Sequence, residues 1–242
     1  MNTHNYGLAV KDLRKKLGRN QALDGMSLQF APGVMHGLIG PEGAGKTTLM
    51  RCLMGLLRPD EGQIDFTANG QSVTQASLRS DMAYMPQQQS LYADLSIDEH
   101  LKFFKALYQI PDAEFGRKRA ELLEVTRLTQ FVDRPAGKLS GGMYKKLGLM
   151  CALLRSPRIL LLDEPTNGVD PISRREFWEL LYDLQANPIL ILVATAYMDE
   201  AERCGEVHLV HAGKTVAEGE PMGLLQERQV KSIDELFLKE AL

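Results

Sequence analysis

A lysine and two hydroxyls close a glycine-rich run, Gly40-Pro41-Glu42-Gly43-Ala44-Gly45-Lys46-Thr47-Thr48. Glycines let the backbone turn sharply and aim successive N–H groups inward, and a helix start adds the positive end of its dipole. The spacing fits a phosphate-binding loop, with Lys46 reaching the β- and γ-phosphates of a nucleotide and the Thr47 hydroxyl holding Mg²⁺. Such a loop needs a strand before it and a helix after it. An apolar stretch, Gly37-Leu38-Ile39, enters it, and a helical run over 48–57 leaves it.

Two adjacent acids end a second apolar stretch, Leu160-Leu161-Leu162-Asp163-Glu164-Pro165-Thr166. A carboxylate at the end of a buried strand costs desolvation unless a cation offsets it. Mg²⁺ carried by the nucleotide would be that cation, with Asp163 as its anchor. Glu164 would then polarise an attacking water as general base. Taken alone, acids after a strand often only cap the next helix; the phosphate loop favours the chemical reading. A third run, Lys138-Leu139-Ser140-Gly141-Gly142-Met143, opens a helix that Ser140 can cap, and its glycines admit an anion to the N–H groups. Without the other motifs it reads as a loop and a cap.

The elements around these residues predict an α/β fold. Residues 6–70 alternate as strands broken by Gly and Pro, an antiparallel β region beside a nucleotide-binding core. About 88–157 reads as an inserted α-helical subdomain. It includes a capping box, Ser96-Ile97-Asp98-Glu99, ahead of Leu101, Phe103, Phe104 and Leu107, and a second helix that turns Leu122, Leu123 and Val125 to a core. The near-continuous apolar stretches at 159–162 and 189–194 read as parallel strands buried on both faces. Phe177 and Trp178 read as core, and about 232–242 as a C-terminal docking helix. The expectation is a single domain over 1–242.

Composition narrows the function. The chain has 242 residues and a net charge of −3, which argues against a large nucleic-acid footprint. The basic group Lys11, Arg14, Lys15, Lys16 and Arg19 reads as a solvated strand end and loop. Cys52, Cys151 and Cys204 form no C-x-x-C pair and read as reduced, buried thiols. The five histidines show no metal-ligand spacing; His208 and His211 belong to an alternating, strand-like stretch. No apolar run resembles a signal peptide or could span a bilayer, so a membrane role would need other subunits.

The order of phosphate loop, Tyr84-Met85-Pro86-Gln87, helical insertion, Leu139–Met143, Leu160–Glu164 and Gly168-Val169-Asp170 resembles the ATP-binding subunit of ABC transporters. The resemblance covers about residues 6–242. Tyr-Met-Pro-Gln, Asp170-Pro-Ile-Ser-Arg-Arg175 and Tyr197-Met-Asp-Glu-Ala-Glu-Arg203 look most like bacterial drug, antibiotic or lipid exporters of the multidrug efflux type. The resemblance implies a P-loop NTPase core that binds ATP and Mg²⁺. It also implies a head-to-tail dimer, homodimeric or heterodimeric. Each ATP would sit between the phosphate loop of one domain and Ser140–Gly142 of the other. Gln87 would contact Mg²⁺ and couple to membrane-spanning permease subunits, and Asp170 would link the two sites. The implied location is cytoplasmic, on the inner face of the inner membrane. A non-transport regulatory relative, acting on ribosomes or DNA ends, is the alternative. A plain P-loop kinase or GTPase would not need Leu139–Gly142.

Three positions depart from the family pattern. Ala196 stands where a histidine usually contacts the γ-phosphate, which predicts a slow or degenerate site. Either nature or an engineered His→Ala could account for it. Leu17 stands where an aromatic usually stacks on adenine, and Tyr6 is a candidate spatial substitute. Met143 replaces the commoner glutamine, for which a small effect is expected.

Overall fold

The computed structural model describes residues 5–88 and 91–241; the ends of the expected single domain at 1–4 and 242, and residues 89–90 of the expected helical insertion, lie outside them. The chain opens with two long strands, β1 (Tyr6–Leu17) and β2 (Asn20–Phe30), paired antiparallel. They form a four-stranded sheet of order β2-β1-β4-β5 with β4 (Glu61–Ala68) and β5 (Gln71–Val73). Between them in sequence lie β3 (Met35–Ile39), which belongs to the second layer, and α1 (Lys46–Leu53), whose buried apolar side chains join the core between the two sheets. That layer is a six-stranded sheet of order β10-β9-β3-β8-β7-β6, built from β6 (Met82–Met85), β7 (Ile159–Asp163), β8 (Leu190–Thr195), β9 (Glu206–His211) and β10 (Lys214–Gly219). Its five strands from β9 to β6 run parallel; β10 returns antiparallel at the edge.

The pattern of each strand follows from what covers it. In β7, Ile159 and Leu161 join the core between the two sheets, with Leu8, Phe30, Leu38 and Phe66. Leu160 and Leu162 face the opposite core, with Ile191, Val193 and Trp178. Both faces are buried, so the strand reads as an unbroken apolar run.

Between β6 and β7 the chain forms α2 (Ile97–Tyr108), α3 (Asp112–Val125) and α4 (Gly141–Leu153). The Ser96 hydroxyl accepts from the Glu99 N–H at 3.2 Å and the Glu99 carboxylate accepts from the Ser96 N–H at 2.8 Å, which closes the expected box. Leu101, Leu122 and Leu123 are buried, but Phe103, Leu107 and Val125 are 40%, 59% and 45% exposed. The spacing turns Val125 toward a core, but it lies exposed, as Phe103 and Leu107 do.

After β7 come α5 (Pro171–Gln185), then, beyond β10, α6 (Pro221–Arg228) and α7 (Ile233–Ala241). Phe177 and Trp178 are buried. The three cysteines are free and buried, and burial pushes their thiols up, to about 11 for Cys52 and about 12 for Cys151 and Cys204. The basic group near the N-terminus is neutralised locally: Lys11 pairs with Asp65, Arg14 with Asp24, and Lys15 with Asp60. Tyr6 does not reach the region of Leu17. It is buried, and its hydroxyl donates to Asp81 at 3.1 Å.

Candidate functional site

β3 ends at Ile39, and the chain turns at once into the glycine-rich loop. Two glycines are required by space. A Cβ on Gly40 would lie 2.2 Å from the Val210 carbonyl. Gly45 adopts φ +103° as the cap of α1, and a Cβ there would lie 2.5 Å from the Ala22 carbonyl. The loop thus lies tight against β9 and β2, and its residues Glu42 to Thr48 line a cleft of about 300 Å³. Leu17, Asn20, Ala22, Gln87 and Glu164 complete the lining.

Lys46 is 5% exposed and heavily engaged. Its ammonium donates to the Gly40 carbonyl at 2.7 Å and the Pro41 carbonyl at 3.0 Å, and pairs with the Glu164 carboxylate at 3.1 Å. Thr47 Oγ1 donates to Asp163 Oδ1 at 3.1 Å. The other carboxylate oxygen of Asp163 accepts from the Tyr84 hydroxyl at 2.9 Å. Burial, and then the Asp163 charge, push the Tyr84 phenol well above its ordinary value, so it acts as a donor throughout the physiological range.

Glu164 sits at φ +49°, the left-handed region that a non-glycine residue enters at a cost of about 1–3 kcal/mol. The strand's geometry holds it there: its N–H donates to the Ala194 carbonyl at 2.8 Å. Its carboxylate accepts from the Ala196 N–H at 3.3 Å. The backbone at 196 therefore touches the acid, and a methyl group occupies the side-chain position. Lys145 of α4 bridges the Glu164 carbonyl at 3.2 Å and the Gln87 carbonyl at 3.3 Å. Burial lowers its ammonium below the ordinary lysine value.

The expected residues fall into two groups. Glu42, Gly43, Ala44, Gly45, Lys46, Thr47, Thr48, Gln87 and Glu164 share the cleft, Asp163 joins through Thr47, and Gly40 and Pro41 join through their carbonyls. Ser140, Gly141, Gly142 and Asp170 do not line it. Ser140 caps α4, accepting from the Met143 N–H at 3.3 Å. Gly142 packs on Ser173, where a Cβ would lie 2.5 Å from that side chain. Asp170 caps α5, accepting from the Ile172 and Ser173 N–H groups at 3.1 and 3.0 Å, and these bonds lower its carboxyl below the ordinary value. Of this second group Ser140, Gly141 and Asp170 are exposed and Gly142 is buried.

Sequence reasoning missed Asn20 and Ala22 in the lining, the Tyr84 hydroxyl on Asp163, and Lys145 as a bridge. Tyr84 was legible only as part of a motif. The others carry no local signal, because strand pairing and helix docking bring them in. Leu17 does line the cleft, 43% exposed, at the position expected for an adenine-facing side chain.

Comparison with known proteins shows the family and the fold. The family model described as ABC transporter matches residues 23–167. The probable multidrug ABC transporter ATP-binding protein YbhF of Escherichia coli (strain K12) is 47% identical over 194 residues, which is 80% of this chain and 34% of that protein. Nod factor export ATP-binding protein I of Ralstonia nicotianae (strain ATCC BAA-1114 / GMI1000) is 38% identical over 221 residues, 90% of this chain and 68% of that protein. The chain spans 32% of the length of a third relative, ABC transporter G family member 20 of Dictyostelium discoideum. Among solved structures, the ATP-binding subunit of an ABC transporter superposes with a TM-score of 0.82 at 30% identity, over 96% of this chain and 98% of that one. The α/β fold is thus that of ABC ATPase domains, and the chain belongs to the ATP-binding domain family of ABC transporters.

Proposed function

We propose that this chain is the ATP-hydrolysing subunit of an exporter, and that its turnover is limited by the missing side chain at Ala196. The convergence of Lys46, Glu164 and the Thr47–Asp163 pair on one cleft carries the reading. Lys46 would bind the β- and γ-phosphates, leaving the Glu164 carboxylate to take its proton from water. Thr47, Asp163 and Gln87 fit Mg²⁺ by donor type, all being oxygen ligands, and the ion would neutralise charge on the phosphates. Ala196 offers the reacting group only its N–H. Leu17 gives adenine an apolar contact in place of a stacked ring.

Ser140–Gly142 and Asp170 would act on a second ATP-binding domain, identical or related, since they do not line their own cleft. One relative is named a multidrug ABC transporter ATP-binding protein and another a Nod factor export ATP-binding protein. Among the described residues no helix is long and apolar enough to cross a membrane, so permease subunits would supply the spanning part and hold the chain at the cytoplasmic face. An apolar groove of about 160 Å³ between Tyr84–Pro86, Leu91, Phe104 and Tyr108 suits a short helix of such a subunit. Exposed Phe103 and Leu107 lie on the same helix as Phe104 and Tyr108.

Steady-state ATP hydrolysis by the chain, its Ala196→His variant and a Glu164→Gln control tests the reading. Slow turnover that the histidine raises and Glu164→Gln removes is the expected result. Brisk turnover unaffected by the histidine would overturn the account of Ala196. Cross-links from 91–110 to a membrane subunit test the coupling; cross-links only to ribosomal protein would favour a non-transport regulator.

A further inference from the structure

A second cluster of chemistry-bearing side chains lies at the other end of β3, outside the cleft. His36 on β3 and His208 on β9 are 0% and 2% exposed. The parallel pairing sets His36 beside Glu206, with His208 two residues further on the same face. The Phe30 ring meets both imidazoles edge-on, with centroids 5.3 and 4.7 Å away. His36 Nδ1 lies 3.1 Å from His208 Nε2 and 3.4 Å from Glu206 Oε2. All three ligand atoms fall within 4.8 Å of one another.

The outward nitrogens are fixed by their partners. His36 Nε2 lies 3.0 Å from the Ala31 carbonyl, which only accepts, so that nitrogen carries the hydrogen. His208 Nδ1 lies 3.2 Å from a Glu218 carboxylate oxygen, which also calls for a hydrogen. Two neutral imidazoles have two N–H groups, and both are now assigned. The inward atoms, His36 Nδ1 and His208 Nε2, are then two lone pairs facing each other inside the protein, beside a carboxylate. Only a positive charge between them satisfies that arrangement.

We propose that His36, His208 and Glu206 form a divalent metal site of the zinc class. Two imidazoles and one carboxylate are a ligand set for such an ion, and the outward bonds to Ala31 and Glu218 are the supports that fix ligating imidazoles. A tetrahedral ion with bonds of roughly 2.0–2.1 Å sets its ligand atoms about 3.3 Å apart. The separations of 3.1 and 3.4 Å are within tenths of an ångström of this, and the third pair, His208 with Glu206, lies within 4.8 Å and would draw together on the ion. Glu206 and Phe30 also line a surface groove, so water can enter from that side and take the fourth position. The ion would tie β3 to β9 just upstream of the phosphate loop. The separation of 172 positions between the histidines explains why no sequence spacing announces the site.

The test uses the full chain, freed of metal by a chelator and titrated with Zn²⁺ alone by calorimetry. A parallel titration with Co²⁺ alone is followed by visible absorption, which reports tetrahedral coordination. One equivalent should bind and raise Tm. His208→Gln should abolish binding, and Glu218→Gln should weaken it roughly 10–100-fold, as loss of an outer support does. Asp163→Asn should leave the Co²⁺ spectrum unchanged. Failure of the wild-type chain to bind Zn²⁺ would overturn the proposal and leave a third proton as the bridging charge. Binding that survives His208→Gln would overturn it too. If circular dichroism shows that His208→Gln does not fold, the half-exposed Glu206→Gln decides, because unchanged Zn²⁺ affinity in that variant also refutes the site.

Discussion

At the C-terminal end of β3 the chain delivers Lys46 to an open cleft; at the N-terminal end it seals His36 in the interior. Both ends gather a nitrogen base and a carboxylate from different elements of the fold. Lys46 meets Glu164 from the tip of β7, and His36 meets Glu206 and His208 from β9. At the cleft, the cation is a covalent part of the chain and loop carbonyls satisfy it. At the histidine end, the donors are used up on the outside and the inside lacks a positive charge. The first arrangement can exchange its acid for a phosphate. The second can be completed only by a small cation.

The largest effect that would sharpen this contrast is at the cleft. Glu164→Gln should lower ATP turnover by about 10²–10⁴-fold while leaving nucleotide binding in place. Turnover that survives this change would mean that the acid at the cleft is as structural as Glu218 at the other end. Next, Ala196→His should raise turnover by about 10²–10³-fold, the scale of one contact made in the transition state. A smaller effect concerns the loop itself. Gly45→Ala should lower stability by about 1–3 kcal/mol, read as a drop in Tm, because φ +103° and the Ala22 carbonyl both oppose a Cβ. The smallest effect is the link between the ends. His36 and Gly40 are separated by roughly 13 Å of extended strand. Glu206→Gln and Gly45→Ala should therefore add in stability to within about 0.5 kcal/mol. A larger deviation would show that the two ends communicate along β3.

The same contrast explains what the sequence made legible. The phosphate loop, Asp163-Glu164 and Ser140–Gly142 are contiguous, so types and spacing display them before any fold is known. β7 and β8 declared themselves as unbroken apolar runs because both faces are buried. The histidine cluster depends on register: His36 and His208 become neighbours only because β9 pairs parallel to β3. Lys145 and the Tyr84 hydroxyl were hidden in the same way, by the docking of α4 and the pairing of β6 with β7. Val125 erred in the other direction. A helical stripe fixes which side is apolar but not how far the cover extends. Tyr6 could not be placed, since whether an aromatic reaches a cleft or Asp81 is a matter of tertiary geometry.

One buried carboxylate has a mechanical consequence. Glu200, 0% exposed, accepts from the Thr166 hydroxyl at 2.7 Å and from the Trp178 indole at 3.1 Å. It thereby rivets the segment after Glu164, the middle of α5 and the turn after Ala196 to one point. That wall of the cleft has little compliance. Gln87, which follows the adjacent strand β6, is tied to it by the long, jointed side chain of Lys145. The Glu164 side of the cleft is thus riveted at several points, whereas Gln87 is joined to it through one long side chain.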